Sequence, residues 1–239
     1  GINIDAIEQL CLKTPVRMVY VTPHHQHPTT VIMPAERRLK LLQLARVYGF
    51  CILEDDYDYD FHYNSNPILP LAAADTHKNV VYVGSLSKVF SPALRVGYVV
   101  APAEVIEAMA NLRRIIDRQG DNLLEAAVAV LFRDGEMRRH LKKAQKIYHW
   151  RRDLFCGLLK SELGDILEFS KPTGGLAVWA KFDQKFPLPE VAQKCRDKGL
   201  WISDGQHYSS ELNATRLGFA AVNEEEIEKG MKILKGILR

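Results

Sequence analysis

The chain has 239 residues, of which 47% are hydrophobic and 26% are charged, and its net charge is +3. This composition is typical of a globular protein, and so small a charge gives no reason to expect a nucleic-acid-binding surface. No apolar run is long enough for a transmembrane helix, and the first ten residues do not resemble a signal peptide. The four cysteines form no CxxC pair, so we expect reduced thiols in a cytoplasmic protein.

Strand and helix signals alternate over the first hundred residues. Apolar runs at residues 17–22, 50–53, 80–83 and 96–100 predict four strands, and a helix is predicted to start near Pro34. Short apolar strands separated by helices favour a mostly parallel sheet. The sequence therefore predicts an α/β fold.

From residue 103 onward the pattern is first helical and then mixed. Helices are predicted at residues 103–116, 122–133, 136–163 and 189–198, and strands around residues 167–169, 176–182, 200–203 and 215–219. Asn223 followed by Glu226 predicts a capping box at the start of the last helix. We therefore expect a partial large domain at residues 1–118, linking helices at 119–164 and a small α/β domain at 165–239.

Polar clusters follow the first three predicted strands, at residues 22–27, 54–59 and 85–88. Open α/β sheets bind ligands at the carboxyl ends of their strands, so these clusters predict one site. A lysine such as Lys88 can form a Schiff base with a carbonyl cofactor such as pyridoxal phosphate. The cofactor also requires an acid at its pyridine nitrogen, for which Asp55 is the candidate.

The phosphate of such a cofactor requires hydroxyl groups and a cation. Ser85 and Ser87 flank the lysine, and Arg95 follows it closely. A planar guanidinium that is always charged suits phosphate binding. The two serines could equally be turn residues, and Arg95 could pair with a carboxylate instead.

Two polar clusters also admit a metal-binding interpretation. The acidic run at residues 54–60 could be a metal loop or a solvated turn, but it lacks EF-hand spacing. Tyr57 within it could donate a hydrogen bond to the cofactor's 3-oxygen. His24, His25 and His27 have neither an HExxH context nor cysteine partners, so they are better read as pocket-lining or loop residues. We predict no metal site.

Arg216 lies in a predicted strand of the small domain. A partly buried arginine needs an anionic partner. The carboxylate of a substrate would serve through bidentate pairing, and a structural ion pair is the alternative.

These motifs together resemble fold-type I aminotransferases, and among them the aminotransferase-like domain of MocR-type regulators in the GntR superfamily. The segments that carry the resemblance are TPHHQHPT at 22–29, EDDYDYDF at 54–61, GSLSK at 84–88, PALRVG at 92–97 and RLGFA at 216–220. The lysine segment is common to many aminotransferases. The acidic run favours the regulators, since ordinary relatives tend to have EDDPY there.

The resemblance implies a role for each candidate residue. Lys88 would form the internal aldimine with pyridoxal phosphate, Asp55 would pair with the pyridinium, and Tyr57 would donate to the 3-oxygen. Ser85, Ser87 and Arg95 would hold the phosphate. Arg216 would bind the carboxylate of an amino-acid ligand. The resemblance further implies a cytoplasmic homodimer that does not engage a membrane and binds DNA only through a winged-helix domain N-terminal to this chain.

Two departures from the family pattern shape our expectations. His27 stands where the catalytic enzymes have the asparagine of an NPTG motif. Relatives also carry a further part of the large domain before the point where this sequence begins, including the loop that cradles the phosphate. We therefore expect an N-terminally truncated fragment that binds the cofactor weakly or not at all and exposes apolar surface.

The resulting functional prediction is an effector domain of a transcriptional regulator. It would sense pyridoxal phosphate or an amino compound through aldimine formation at Lys88, and we expect no transaminase activity from the fragment itself. A genuine amino-acid aminotransferase is the first alternative, since nothing in the sequence excludes proton transfer by Lys88. A degenerate scaffold kept for dimerisation is the second.

Overall fold

The structure is a computed structural model that describes residues 1–63, 68–209 and 211–239. It divides into two compact units. The first unit comprises Gly1–Gln26, Val31–Asp60 and Asn66–Lys143, and the second comprises His27–Thr30, Phe61–Ser65 and Ala144–Arg239. The division into a partial large domain, linking helices and a small domain stays a prediction.

The first unit is built around a four-stranded sheet. Its strands are β1 (Met18–Val21), β2 (Cys51–Asp56), β3 (Val80–Ser85) and β4 (Gly97–Val100). Its helices are α1 (Ile4–Cys11), α2 (Ala35–Tyr48), α3 (Leu71–Ala74), α4 (Ala103–Ile116), α5 (Asn122–Arg133) and the start of α6 (Glu136–Leu163). The strand order is β1-β2-β3-β4, in which the first three strands are parallel and β4 is antiparallel. The prediction of a mostly parallel sheet is confirmed.

The two faces of this sheet have different surroundings. Side chains alternate between the faces along each strand, so Val19, Val21, Ile52 and Val80 share one face. They are buried in one core with residues of α1 and α2, among them Leu41. We call this the closed face.

The opposite face carries the intervening residues of the same strands, and we call it the open face. Tyr20, Leu53 and Val81 are register partners on it, and Met18 and Asp55 extend the same rows. Met18 and Tyr20 are each 55% exposed, and the other three are half-buried. Within the described residues of the first unit, no apolar core is formed on this face.

Helices α4 and α5 leave much apolar surface exposed. No residue of α4 is buried, and Val128 is the one buried residue of α5. Ile115, Ile116 and Leu123 are more than 80% exposed. Exposed apolar surface was expected from the sequence.

The second unit packs helices against a three-stranded antiparallel sheet. It contains the rest of α6, strands β5 (Leu167–Phe169), β6 (Ala177–Phe182) and β7 (Ala214–Gly218), and helices α7 (Leu188–Asp197) and α8 (Glu224–Leu238). Its core joins all of these elements. The capping box of Asn223 and Glu226 is formed as predicted.

One predicted strand is wrong. Residues 200–203 form no strand, and no ladder to them is present in the described chain. Leu200 and Ile202 pack against the core of the second unit, whereas Trp201 between them is 76% exposed. The apolar residues that suggested a strand therefore pack against the core without forming a ladder.

No helix in the described part of the chain has both the length and the apolar character needed to cross a lipid bilayer.

Candidate functional site

The three predicted polar clusters meet at one edge of the sheet in the first unit. Because β1, β2 and β3 are parallel, their carboxyl ends lie at the same edge. Thr22 follows β1, and Ser85 is the last residue of β3. The acidic run lies partly within β2, whose last residues are Asp55 and Asp56. The convergence predicted from the sequence is thus a property of the fold.

Asp55 lies on the open face and accepts a hydrogen bond from a tyrosine of the neighbouring strand. The Tyr20 hydroxyl donates to Asp55 Oδ2 at 2.7 Å. Tyr20 is opposite Leu53 in the ladder, so Asp55 is its diagonal neighbour. Burial and the nearby carboxylate raise the pKa of Tyr20, so the hydroxyl stays a donor.

Tyr20 is a residue that the motifs did not identify. The signal was available in the pattern, since polar residues at alternate positions of adjacent parallel strands share a face. The register between the strands was needed to recognise the pair.

Tyr57 follows β2 and is half-buried. Its hydroxyl donates to the backbone carbonyl of His25 at 2.9 Å. To donate to another oxygen, the hydroxyl would have to rotate away from this carbonyl. Its predicted role at a cofactor 3-oxygen stays a prediction.

The lysine segment begins with a glycine that the packing requires. A Cβ atom on Gly84 would lie 2.2 Å from the ring of Tyr98, so no other residue fits without displacing that ring. Ser85 Oγ then accepts a hydrogen bond from the backbone of Ser87 at 3.2 Å, which is the turn role considered for these serines. Lys88 follows in the same turn and is exposed.

Arg95 lies in a segment that the sheet brings beside the lysine turn. Ser85 pairs with Gly97 in the antiparallel ladder, and Leu86 donates its backbone N–H to the carbonyl of Val96 at 3.0 Å. Arg95 is exposed and has a left-handed backbone with φ of 52°. A non-glycine residue pays a conformational cost there, and such costs are concentrated at functional sites.

A buried network of ionisable side chains lies at the same strand ends, with Glu54 and Asp56 on the closed face. His24 Nδ1 lies 2.8 Å from Asp56 Oδ2, and His25 Nδ1 lies 2.7 Å from Asp58 Oδ1. All four side chains are about 1% exposed. Tyr82 donates its hydroxyl to Asp56 at 3.2 Å.

Glu54 and Arg38 extend this network. The carboxylate of Glu54 accepts the backbone N–H groups of Leu71 and Ala72 at the start of α3, at 2.8 and 2.9 Å. The Arg38 guanidinium donates to the carbonyls of Met33, Pro23 and Leu69 at 2.8 to 3.0 Å. Burial raises the pKa of Glu54, which its two backbone N–H donors partly offset, and burial lowers the pKa of Arg38, which the nearby carboxylates of Glu54 and Asp56 partly offset.

This network contains a possible metal-ligand set. One ligand atom each of His24, Glu54 and Asp56 lies within 4.8 Å of the other two. Each of these side chains already bonds to the protein, and the Arg38 guanidinium approaches His24 at 3.5 Å. A cation would have to displace those contacts beside a fixed positive charge, so we interpret the cluster as structural.

Arg216 belongs to β7 in the second unit and is half-buried. Its Nη1 atom lies 2.8 Å from His27 Nδ1, and His27 belongs to the same unit. Trp179 is its cross-strand partner on β6. The sequence singled out both Arg216 and His27 but did not predict their contact.

The donor set at the sheet edge fits pyridoxal phosphate. It combines an exposed amine on Lys88, a hydrogen-bonded carboxylate on Asp55 and two hydroxyl-bearing residues in one turn, and the backbone segment that carries Arg95 is hydrogen-bonded beside that turn. These are the groups that such a cofactor requires around its aldehyde, its ring nitrogen and its phosphate.

Comparison with known proteins agrees with this interpretation. The family model for aminotransferase class I and II matches residues 1–234 of the 239. The chain belongs to this family. Its predicted fold is confirmed as well, because a multiple substrate aminotransferase from Thermococcus profundus superposes with a TM-score of 0.92 over 100% of the chain. That enzyme is 28% identical, and the match covers 61% of its own chain.

Both enzymes and regulators are found among the relatives. Aromatic-amino-acid aminotransferase 1 of Thermococcus litoralis is 29% identical over 98% of this chain and 58% of its own length. The uncharacterized HTH-type transcriptional regulator YdfD of Bacillus subtilis is 30% identical over 90% of this chain and 45% of its own length. The probable rhizopine catabolism regulatory protein MocR of Rhizobium meliloti is 26% identical over 92% of this chain and 45% of its own length. The aminotransferase class I and II domain thus resembles enzymes and MocR-type regulators equally, and it spans about half the length of these relatives.

Proposed function

We propose that this chain is the aminotransferase-like effector part of a transcriptional regulator and that it senses pyridoxal phosphate or an amino compound. The observation that carries the proposal is the Asp55 carboxylate. It is oriented by Tyr20 on the open face, at the sheet edge where the neighbouring strand leads into the Lys88 turn. Membership of the aminotransferase family and the presence of HTH-type regulators among the relatives support it.

Pyridoxal phosphate, when bound, supplies an aldehyde carbon with which amines condense. In our proposal Lys88 offers its amine to that carbon, and Asp55 keeps the ring nitrogen protonated through a charge-assisted hydrogen bond. Tyr57 contacts the ring oxygen, and Arg216 binds the carboxylate of an amino compound. The phosphate is held by Ser85, Ser87 and Arg95.

The regulator is preferred to the enzyme because of two local features. The acidic run at 54–61 has the form that resembles the regulators, and His27 replaces the asparagine of the catalytic enzymes. The enzyme remains the second candidate because aminotransferases are as similar to this chain as the regulators are. DNA binding through a separate winged-helix domain, dimerisation and a cytoplasmic location are parts of the same proposal.

The deciding experiment is a titration of the purified chain with pyridoxal phosphate, followed by absorbance in the near ultraviolet and visible range. Because the sequence leads us to expect weak binding, we expect a faint long-wavelength band at high cofactor concentration that is absent from Lys88→Ala and retained by Lys13→Ala, which removes another exposed lysine. Borohydride reduction and peptide mass spectrometry should locate the adduct on Lys88. An adduct on a different lysine, or a band that survives in Lys88→Ala, would show that the assignment of Lys88 is wrong.

Addition of amino acids to the loaded protein separates the two functions. A spectral change without formation of a keto acid supports the sensor, because the ligand then binds without being converted. Steady production of keto acid would instead establish the aminotransferase. Absence of any band even at saturating pyridoxal phosphate would contradict the cofactor assignment and favour the dimerisation scaffold.

A further inference from the structure

The contact between Arg216 and His27 in the second unit has chemical consequences. A guanidinium has only N–H donors and keeps its charge at every accessible pH. At 2.8 Å, Arg216 Nη1 must therefore donate, and His27 Nδ1 must accept with a free lone pair. The bond exists only while His27 carries no proton on Nδ1.

The surroundings hold both groups in place. The His27 ring meets the Tyr208 ring edge-on at 5.4 Å, and Tyr208 meets Trp179 in the same way at 5.5 Å. Trp179 is in turn the cross-strand partner of Arg216. Trp179 and Arg216 therefore share one side of the β6–β7 pair, and rotation of His27 away from Arg216 would disturb its ring contact with Tyr208.

The loop that supplies Tyr208 is itself fixed against β7. Gly205 has φ of 77°, and a Cβ atom on it would lie 2.2 Å from the carbonyl oxygen of Ala214. The backbone of Tyr208 donates to Gly205 at 2.9 Å, which closes the turn. This loop is therefore anchored to the strand.

We propose that His27 is a positioning residue for Arg216 and that it links carboxylate binding at Arg216 to the uptake of one proton. This inference rests on the proposed function, in which Arg216 receives the carboxylate of an amino compound. Without a ligand, neutral His27 accepts from the guanidinium and holds it. A carboxylate that binds Arg216 takes over the N–H donor, and His27 then gains a proton from solvent.

Electrostatics sets the direction of the linkage. The Arg216 guanidinium disfavours a positive charge on His27, and a carboxylate bound at Arg216 reduces this repulsion. The pKa of His27 must therefore rise when a carboxylate binds, and by reciprocity carboxylate affinity must increase as pH falls through the titration range of histidine. Titratable groups nearby include Tyr208, whose ring faces His27, and His207, whose ring lies 3.8 Å from that of Tyr208. Glu226 lines the same 190 Å³ cavity as Arg216 but is engaged with Asn223 in the capping box.

The test uses propionate as a probe that carries a carboxylate and no amine. Calorimetric titrations in two buffers of different ionisation enthalpy, from mildly acidic to mildly alkaline pH, measure affinity and proton uptake together. We expect wild-type affinity to rise about tenfold toward acidic pH, since one unit of pKa coupling corresponds to about tenfold in affinity. NMR of the ring nitrogens should show the His27 pKa rising on addition of propionate.

Two variants separate positioning from simple structure. His27→Asn offers a carbonyl that accepts from Arg216 at any pH but cannot be protonated, so we expect binding that is retained and independent of pH. His27→Ala offers no acceptor, and we expect weaker binding, also independent of pH. A wild type whose propionate affinity does not change with pH, or a pH dependence that persists in His27→Asn, would overturn the linkage, as would absence of propionate binding at every pH.

This outcome is distinguishable from the outcome for the proposed function. The Lys88-dependent absorbance band is measured without any carboxylate. If the band is present and propionate binding does not depend on pH, only the proposed role of His27 is contradicted. If the band is absent and propionate binding is linked to proton uptake, only the cofactor assignment is contradicted.

Discussion

The two faces of the sheet in the first unit differ in how much of each is covered by the described residues of that unit. On the closed face, Glu54 and Asp56 are at most 4% exposed, and their contacts come from α2, α3 and neighbouring strands. On the open face, Asp55 is half-buried and its bond comes from Tyr20, which is 55% exposed. Side chains alternate between the two faces of a strand, so Glu54 and Asp56 are buried on the closed face and Asp55 between them lies on the open face.

The difference shows where a ligand can act. The buried network of hydrogen bonds and ion pairs stabilises the strand ends, and its side chains are shielded from a new partner. A carboxylate held by one exposed hydroxyl is oriented and still accessible. The two faces therefore predict different responses to mutation.

The largest effect should follow from removal of the Arg38 guanidinium. Arg38→Met leaves Glu54 and Asp56 buried without their nearby positive charge, so we expect a loss of about 3–5 kcal/mol in the free energy of unfolding. Urea denaturation measures it, with Arg46→Met on the exposed side of the same helix as the control, expected to change stability by less than about 0.5 kcal/mol. Equal losses in the two variants would show that the closed-face network contributes nothing.

A smaller effect should separate two tyrosines that each donate to an aspartate. Tyr82 is 7% exposed and donates to Asp56 on the closed face, so Tyr82→Phe should cost about 1–3 kcal/mol because a buried acceptor loses its partner. Tyr20→Phe on the open face should cost less than about 0.5 kcal/mol, since water can replace the hydroxyl.

The two tyrosine variants should rank in the opposite order when cofactor binding is measured instead of stability. Tyr20→Phe frees the Asp55 carboxylate to rotate and should weaken the pyridoxal phosphate band, whereas Tyr82→Phe should affect the band only as far as it unfolds the protein. Absorbance titration beside urea denaturation gives both values. A Tyr20→Phe protein with an unchanged band would show that Tyr20 does not orient Asp55 for the cofactor.

The smallest effect concerns cysteine reactivity. Cys51 lies on the open face and is half-buried, whereas Cys156 is 5% exposed in the core of the second unit, where burial raises its pKa to about 11. Burial also raises the pKa of Cys51, but this residue is only half-buried. In a Cys11→Ser background, iodoacetamide should alkylate Cys51 at least about tenfold faster than Cys156, since only the thiolate reacts.

Peptide mass spectrometry at several times after mixing follows both cysteines in one sample. In urea, where both thiols are equally exposed, Cys51 and Cys156 should be alkylated at the same rate. A native ratio near one would contradict the difference in accessibility between the open face and the core.

The sequence by itself determined the α/β class, the positions of most helices and strands, and the three polar clusters at strand ends. Periodicity, caps and short motifs are local, so they can be interpreted without knowing which segments meet. The capping box at Asn223 needs only three residues of separation. The same local pattern failed at residues 200–203, where burial alternates without a pairing partner.

Only the tertiary structure decided which side chains meet. Tyr20 and Asp55 are separated by 35 positions, and Arg216 and His27 by 189. Whether such residues bond depends on strand register and on the face that each side chain occupies. A shift of one residue in β2 would place Asp55 in the buried network and Glu54 and Asp56 on the open face. The chemistry of this site was therefore predictable in residue type from the sequence, but its contacts required the packing of distant segments.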